Sequence, residues 1–179
     1  MTQIGSAYGE ALFSLARDEK LDTDILQQLL VLDSSFSQEP DFVRLMGAPN
    51  IGKEERCGIL DESFRGKVHE YVLNFLKILT EKGYFRHFSA CVRAYRECYN
   101  EAHNILTVTA VTAVALTDAQ SKKLSAKLSR LTGKTVELVN RVDSACIGGV
   151  RLDYDGKRVD DTVSNRLSKL GSLLKNTVL

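Results

Sequence analysis

The sequence predicts a mostly α protein with a small α+β part: an N-terminal six-helix bundle followed by a small C-terminal α/β domain with a hairpin and a terminal helix. Three observations predict it. Up to His103-Asn104 the apolar residues recur at helical spacing; from Leu106 to Ala110 they alternate with threonine; and beyond Cys146 the chain reads strand, tight turn, strand, helix. The change of period at Asn104 divides the chain into domains at 1–104 and 105–179.

Ala7, Tyr8, Ala11, Leu12, Leu15 and Ala16 form an apolar band on a first helix that runs to about Lys20, and Gly5, Ser6, Gly9 and Ser14 keep the rest of its surface small. A second helix starts near Thr23 with Ile25, Leu29, Leu32 and Phe36 in one stripe, and Pro40 stops it. Phe42, Leu45 and Met46 give a short amphipathic turn closed by Gly47; Pro49 then fixes a bend, and a helix through Ile59, Leu60 and Phe64 ends near Gly66. The fifth helix, Lys67 to Lys82 with Gly83 as its stop, carries Val68, Val72, Phe75 and Leu79 on one stripe and Tyr71 and Ile78 on a neighbouring one. It is apolar on more than one side. The sixth turns Phe88, Cys91, Val92, Tyr95, Tyr99 and Ala102 inward and Arg93, Arg96, Glu97 and Glu101 outward.

In the second domain Leu106, Val108 and Ala110 read as a strand. Thr117 followed three residues later by Gln120 is a capping box, and the helix behind it puts Leu124, Leu128 and Leu131 on one face before Gly133 stops it. Val136 and Leu138 suggest another strand. Val150, Leu152 and Tyr154 alternate with Arg151 and Asp153, Asp155-Gly156 supplies the turn, and Lys157 to Asp160 returns. Val163, Leu167, Leu170 and Leu174 make one stripe of a terminal helix that Asp161 or Thr162 is placed to cap, and it should lie back on the hairpin. Gly148-Gly149 precedes a strand and fits neither phosphate-loop pattern, so it reads as a bend with no catalytic role.

With 44% hydrophobic and 26% charged residues the 179-residue chain has the composition of a globular protein with a real core, and its formal charge of +1 gives no field that would gather nucleic acid or an anionic membrane. No basic segment followed by an apolar run opens the chain and no apolar stretch is long enough to span a bilayer, so a soluble, unexported protein is expected. Cys57, Cys91, Cys98 and Cys146 are then expected to stay reduced, and His69, His87 and His103 lack any metal-ligand spacing. Asp160-Asp161 and Glu54-Glu55 are simpler as helix caps and dipole partners than as catalytic pairs. The spacing marks no catalytic residue, no metal and no cofactor. Lys122, Lys123, Lys127, Arg130 and Lys134 make a basic helix face, which supports an alternative reading as a nucleic-acid-binding or regulatory adaptor, although no aromatic residues are interleaved to stack on bases.

Three stretches, Ala7–Phe13 (AYGEALF), Asn74–Leu79 (NFLKIL) and Ile147-Gly148-Gly149-Val150 with Asp160 and Arg166-Leu167, occur in an order that resembles the delta subunit of rotary ATP synthases, the oligomycin-sensitivity-conferring protein family. Gly9 stands where that family commonly has Ala, and Asp161 and Thr162 where it usually has Gly and Ser. The resemblance implies a non-catalytic stator subunit of a proton-translocating ATP synthase, without a cofactor, that links the catalytic head to the peripheral stalk. It implies that the bundle binds the N-terminal segment of an alpha subunit in a groove between the first and fifth helices, at Ala7, Tyr8, Ala11, Leu15, Tyr71, Asn74, Ile78 and Leu79. It implies further that the C-terminal domain, marked by Ile147, Gly148, Gly149, Val150, Asp160, Arg166 and Leu167, binds the b subunits of the stalk. The place so implied is the cytoplasmic face of the bacterial inner membrane, with membrane contact only through the complex and no nucleic-acid partner.

Overall fold

The structure, a computed structural model, describes residues 3–48, 50–154, 156–163 and 165. Pro49, Asp155, Arg166, Leu167 and the rest of the predicted terminal stripe, Leu170 and Leu174, lie outside the described residues. The chain divides into two compact units between Tyr99 and Asn100. The described residues form seven α-helices and a small four-stranded sheet.

The first unit opens with α1 (Gln3–Asp18) and α2 (Asp22–Gln38). Lys20 takes φ 59°, and the N–H groups of Lys20 and Leu21 reach back to the carbonyls of Arg17 and Ala16 at 3.0 and 2.8 Å, a Schellman stop without glycine. Pro40 is the first residue of α3 (Pro40–Gly47), where its missing N–H costs nothing, so it opens this helix as well as closing α2. α4 (Lys53–Phe64) follows, then α5 (Glu70–Glu81). The sequence starts α5 at Lys67, but His69 is its N-cap: Nδ1 accepts from Tyr71 N–H at 3.2 Å, while His69 N–H donates to Gln28 Oε1 at 2.7 Å. A 3-10 turn, Phe85–His87, leads into α6 (Phe88–Ala102).

The core of this unit gathers the stripes of α2, α5 and α6 with Leu12, Phe13 and Ala16 of α1. Phe36 sits among aromatic rings, with centroids 5.1 Å from Phe88, 5.3 Å from Phe42 and 5.4 Å from Phe85. Each such pair adds about 0.5–1.5 kcal/mol to the burial of its area. Arg56, although charged, is buried, and its Nη1 donates to the Met46 carbonyl at 2.6 Å, in the last turn of α3, where the helix dipole favours a cation. On α6 the sequence errs at Ala102, which is exposed, and misses Ala90 and Ala94, which are buried.

The second unit is built on β1 (Ile105–Thr112), whose Leu106, Val108 and Ala110 are buried as the alternation predicts. α7 (Asp118–Thr132) carries the predicted capping box complete, with Thr117 N–H to Gln120 Oε1 at 2.9 Å and Gln120 N–H to Thr117 Oγ1 at 3.3 Å, and Gly133 closes it at φ 70°. This helix is the crossover that lets β2 (Thr135–Val142) pair with β1 in parallel, Ile105 opposite Thr135. A second 3-10 turn, Ser144–Cys146, precedes the antiparallel hairpin β3 (Val150–Tyr154) and β4 (Lys157–Asp160), giving the order β2-β1-β3-β4. Leu124 and Leu128 are half-buried, but Leu131 is 75% exposed, so the last leucine of the predicted face does not reach the sheet.

Candidate functional site

The apolar band of α1 is two faces rather than one. Gly5, Gly9, Leu12, Phe13 and Ala16 are buried, while Ala7, Ala11 and Leu15, one turn apart in succession, stand at the surface with Tyr8 half-buried beside them. At about 100° per residue these sets lie on different sides of the helix. Gly9 belongs to the buried side because α6 passes there: a Cβ on it would lie 2.5 Å from the Cys91 carbonyl oxygen and 2.7 Å from the Ala94 Cβ. With that side packed, the small residues Ala7 and Ala11 stand at the surface.

On α5 the neighbouring stripe behaves alike. Tyr71 is half-buried, Asn74 is exposed and Ile78 is 44% exposed, at i, i+3 and i+7. Leu79 does not join them: it is fully buried in the core, where 100° of helix turn from Ile78 carries it, and it is removed from the groove set. The end of α5 is brought to α1 by its stop. Gly83 takes φ 73°, and the N–H of Tyr84 bonds the Leu79 carbonyl at 2.7 Å; the Tyr84 ring, so placed, meets Tyr8 edge-on at 6.0 Å. Periodicity assigns no role to Tyr84; its position directly after the stop glycine was the available signal.

In the second unit the glycine pair is explained by a close approach. Gly149 has φ 82°, and a Cβ there would fall 2.5 Å from the Asp161 carbonyl oxygen and 3.0 Å from the Thr162 Cα. The chain leaving β4 is tied down by Asp161 N–H to the Val150 carbonyl at 3.2 Å and Val163 N–H to the Gly148 carbonyl at 3.0 Å. Ile147, at φ 62°, is 67% exposed. Of the two candidate caps, Thr162 serves: its Oγ1 accepts from Asn165 N–H at 3.2 Å and donates to Asp160 Oδ1 at 2.7 Å. Asp160 also accepts from Thr162 N–H at 3.0 Å, and these bonds from Thr162 hold its carboxyl below the usual carboxylate range. Asp161 keeps a negative φ, so it stands in place of glycine without backbone strain.

An open depression of about 500 Å³ is lined by Thr107, Asp153, Tyr154, Gly156, Lys157 and Arg158, but Arg158 Nε donates to Asp153 Oδ1 at 2.8 Å and holds that carboxyl low, the opposite of a proton-exchanging base near neutrality. A second, of about 390 Å³, contains Cys57, whose thiol is pushed up first by desolvation and then by Glu81, away from thiolate reactivity. Among the described residues no group of three or more His, Cys, Asp and Glu side chains is placed to hold a metal, and no helix is long and apolar enough to cross a membrane.

The exposed apolar stripe of α1, with Ile78 of α5 also at the surface, is the kind of helix face that packs against another chain. The family model described as ATP synthase delta (OSCP) subunit matches residues 4–174. The chain is 32% identical to the ATP synthase subunit delta of Alkaliphilus oremlandii, covering 98% of each, and 30% identical to that of Clostridioides difficile, covering 98% of this chain and 97% of the other. Its fold matches a chain in the Toxoplasma gondii mitochondrial ATP synthase hexamer with a TM-score of 0.75 at 18% identity, covering 97% and 98%. The chain belongs to the ATP synthase delta (OSCP) subunit family, non-catalytic stator components that are peripheral parts of the membrane-bound synthase. The adaptor reading of the basic face has no support from this assignment.

Proposed function

We propose that the chain caps the catalytic head of a bacterial, proton-translocating ATP synthase on the cytoplasmic face of the inner membrane and ties it to the peripheral stalk. In this reading residues 1–104 form a six-helix bundle that takes the N-terminal segment of an alpha subunit as a helix against α1 and α5. Residues 105–179 hold the end of the b subunits, through the domain marked by Gly148-Gly149 and Asp160. The observation that carries it is the second, unburied apolar stripe on α1: Ala7, Ala11 and the 44%-exposed Leu15 serve no core, and they present the small-residue face on which an amphipathic helix can lie. Two modest grips on two partners act as one strong joint through effective concentration. The test is co-purification: the tagged chain should retain alpha and b subunits of its own synthase, and membranes stripped of it should hydrolyse ATP without pumping. Retention of neither subunit would reject the proposal.

A further inference from the structure

Among the described residues strand β2 is an unpaired edge of the sheet. The flanking bonds, Thr135 N–H to the Asn104 carbonyl at 2.9 Å and Asp143 N–H to the Thr112 carbonyl at 2.8 Å, set the phase of its ladder with β1. Odd-numbered residues turn their N–H and C=O groups towards β1, and even-numbered ones turn them away. Val136 N–H is taken up by Ser129 Oγ of α7 at 3.2 Å. Leu138, Asn140 and Val142 keep outward backbone donors and acceptors that have no partner among the described residues. The other edge, β4, is four residues long and carries Lys157 and Arg158, the usual defences of an edge. β2 has eight residues, contains no proline, and exposes Val139 and Val142.

The Ser129 bond also shows which side of α7 looks along this edge. At about 100° per residue, Lys122 lies about 20° from Ser129 around the helix, and Arg130, Lys123 and Lys127 follow at about 100°, 120° and 160° in the same sense, away from the sheet-facing Leu124 and Leu128. All four are exposed, as is Lys134 beyond the helix, and none has an ion-pair partner among the described residues. A basic arc therefore begins where the free backbone edge begins. A second copy of the chain paired on β2 would bring two such arcs together and be repelled; an acidic strand would be drawn in.

We infer that the β2 edge and the α7 basic arc form one docking site for an acidic segment in extended conformation, added to the sheet as a fifth strand. Main-chain bonds to Leu138, Asn140 and Val142 give the affinity. Acidic side chains at alternate positions, on the face that α7 covers, give the selectivity. This site is separate from the α1 surface and does not depend on which subunit α1 holds.

The test uses the full chain, isotopically labelled, and a blocked ten-residue peptide alternating Glu and Thr as the probe. Saturable amide shifts are expected at Leu138, Asn140 and Val142, with affinity falling as salt rises. The peptide N-methylated at every second residue, made in both phases, should lose binding in at least one phase. A chain carrying Lys123→Glu, Lys127→Glu and Arg130→Glu, all at exposed positions, should bind about tenfold or more weakly while its other amide positions stay unchanged. Three results would each overturn the inference: equal binding by both N-methylated peptides, no saturable binding up to millimolar peptide, or self-association of the chain alone that buries the 138–142 amides.

Discussion

Gly9 and Ala94 hold α1 and α6 at a distance that no side chain on residue 9 permits, since a Cβ there would lie 2.7 Å from the Ala94 Cβ and 2.5 Å from the Cys91 carbonyl oxygen. Intrinsic helix propensity alone would favour Ala over Gly by about 1 kcal/mol. The crossing reverses the sign, because one of the atoms in the way is backbone and cannot rotate aside. Gly9→Ala is expected to destabilise the first unit by about 1–3 kcal/mol, an overpacking cost. Urea unfolding of the variant checks it; an unchanged or raised midpoint would show that α1 can move off α6 freely.

Ala11→Trp should leave unfolding unchanged and remove a partner. Ala11 is exposed, so a bulky ring there meets solvent in the free chain. If α1 receives the alpha N-terminal helix, the ring fills the space the helix needs, and an anchor of about 2 kcal/mol or more corresponds to at least about thirtyfold weaker binding. Titration with a peptide of the alpha N-terminus, beside a melting curve of the same variant, decides. Undiminished affinity would sink the assignment of this face.

Gly149→Ala should loosen the second unit. The substitution forces φ 82° on a residue with a side chain and drives its Cβ to 2.5 Å from the Asp161 carbonyl oxygen. Strain and overpacking each run to about 1–3 kcal/mol. Placing glycine at 161 would not relieve it, because the obstructing atom belongs to the main chain. Amide exchange of β3 and β4 in Gly149→Ala, with and without Asp161→Gly, separates the two expectations; rescue by the second change would contradict the geometry.

Three carboxylates set an acid limit. Asp61 is held low by its bond from Lys77 at 2.8 Å, Asp153 by Arg158, and Asp160 by Thr162. A carboxyl whose folded pKa lies below its unfolded value of about 3.9 stabilises the fold fully above that value and loses the contribution as pH falls through the folded pKa. The urea midpoint should therefore be insensitive to these groups near neutrality and decline below about pH 4. Asp160→Ala should lower the neutral-pH midpoint of the second unit and flatten that decline. A decline of the same size in the variant would mean Asp160 contributes nothing.

Cys91 is 1% exposed, and burial pushes its thiol up to about 11. At pH 8 roughly one Cys91 in a thousand would be thiolate even with free access. Alkylation of the native chain should label the half-buried Cys98 well before Cys91, and mass mapping of the early adducts checks the order.

The stripes that one helix buries were legible residue by residue: Ile25, Leu29, Leu32 and Phe36 of α2 are all buried, and the Thr117–Gln120 box caps α7 as its spacing requires. Sidedness was not. Periodicity places Ala7, Ala11, Leu12 and Ala16 on one apolar band, yet only packing within the unit decides that Leu12 and Ala16 go in and Ala7 and Ala11 stay out. For Leu79 the periodicity was right, since it placed the residue on the core stripe with Val72 and Phe75, and only the groove set implied by the family resemblance drew it outward. The parallel pairing of β2 with β1 was hidden because strand order is a long-range property that leaves no mark on Val136 or Leu138. Arg56 was unreadable as a core residue, since charge predicts exposure unless a carbonyl such as that of Met46 is known to wait for it.

The position of β1 at the centre of the sheet has a consequence during synthesis. Its eight residues, ILTVTAVT, are free of charge and of proline, and both of its pairing partners lie later in the chain, β2 across a whole helix and β3 further still. At ribosomal rates of about 5–20 residues per second, this strand leaves the ribosome and waits roughly 2–8 s before the last of β3 follows it out. For that interval a short, uncharged, β-prone segment presents two open edges, the composition most inclined to pair with a neighbouring nascent chain. The exposure ends only when Tyr154 has emerged and both edges of β1 can be covered.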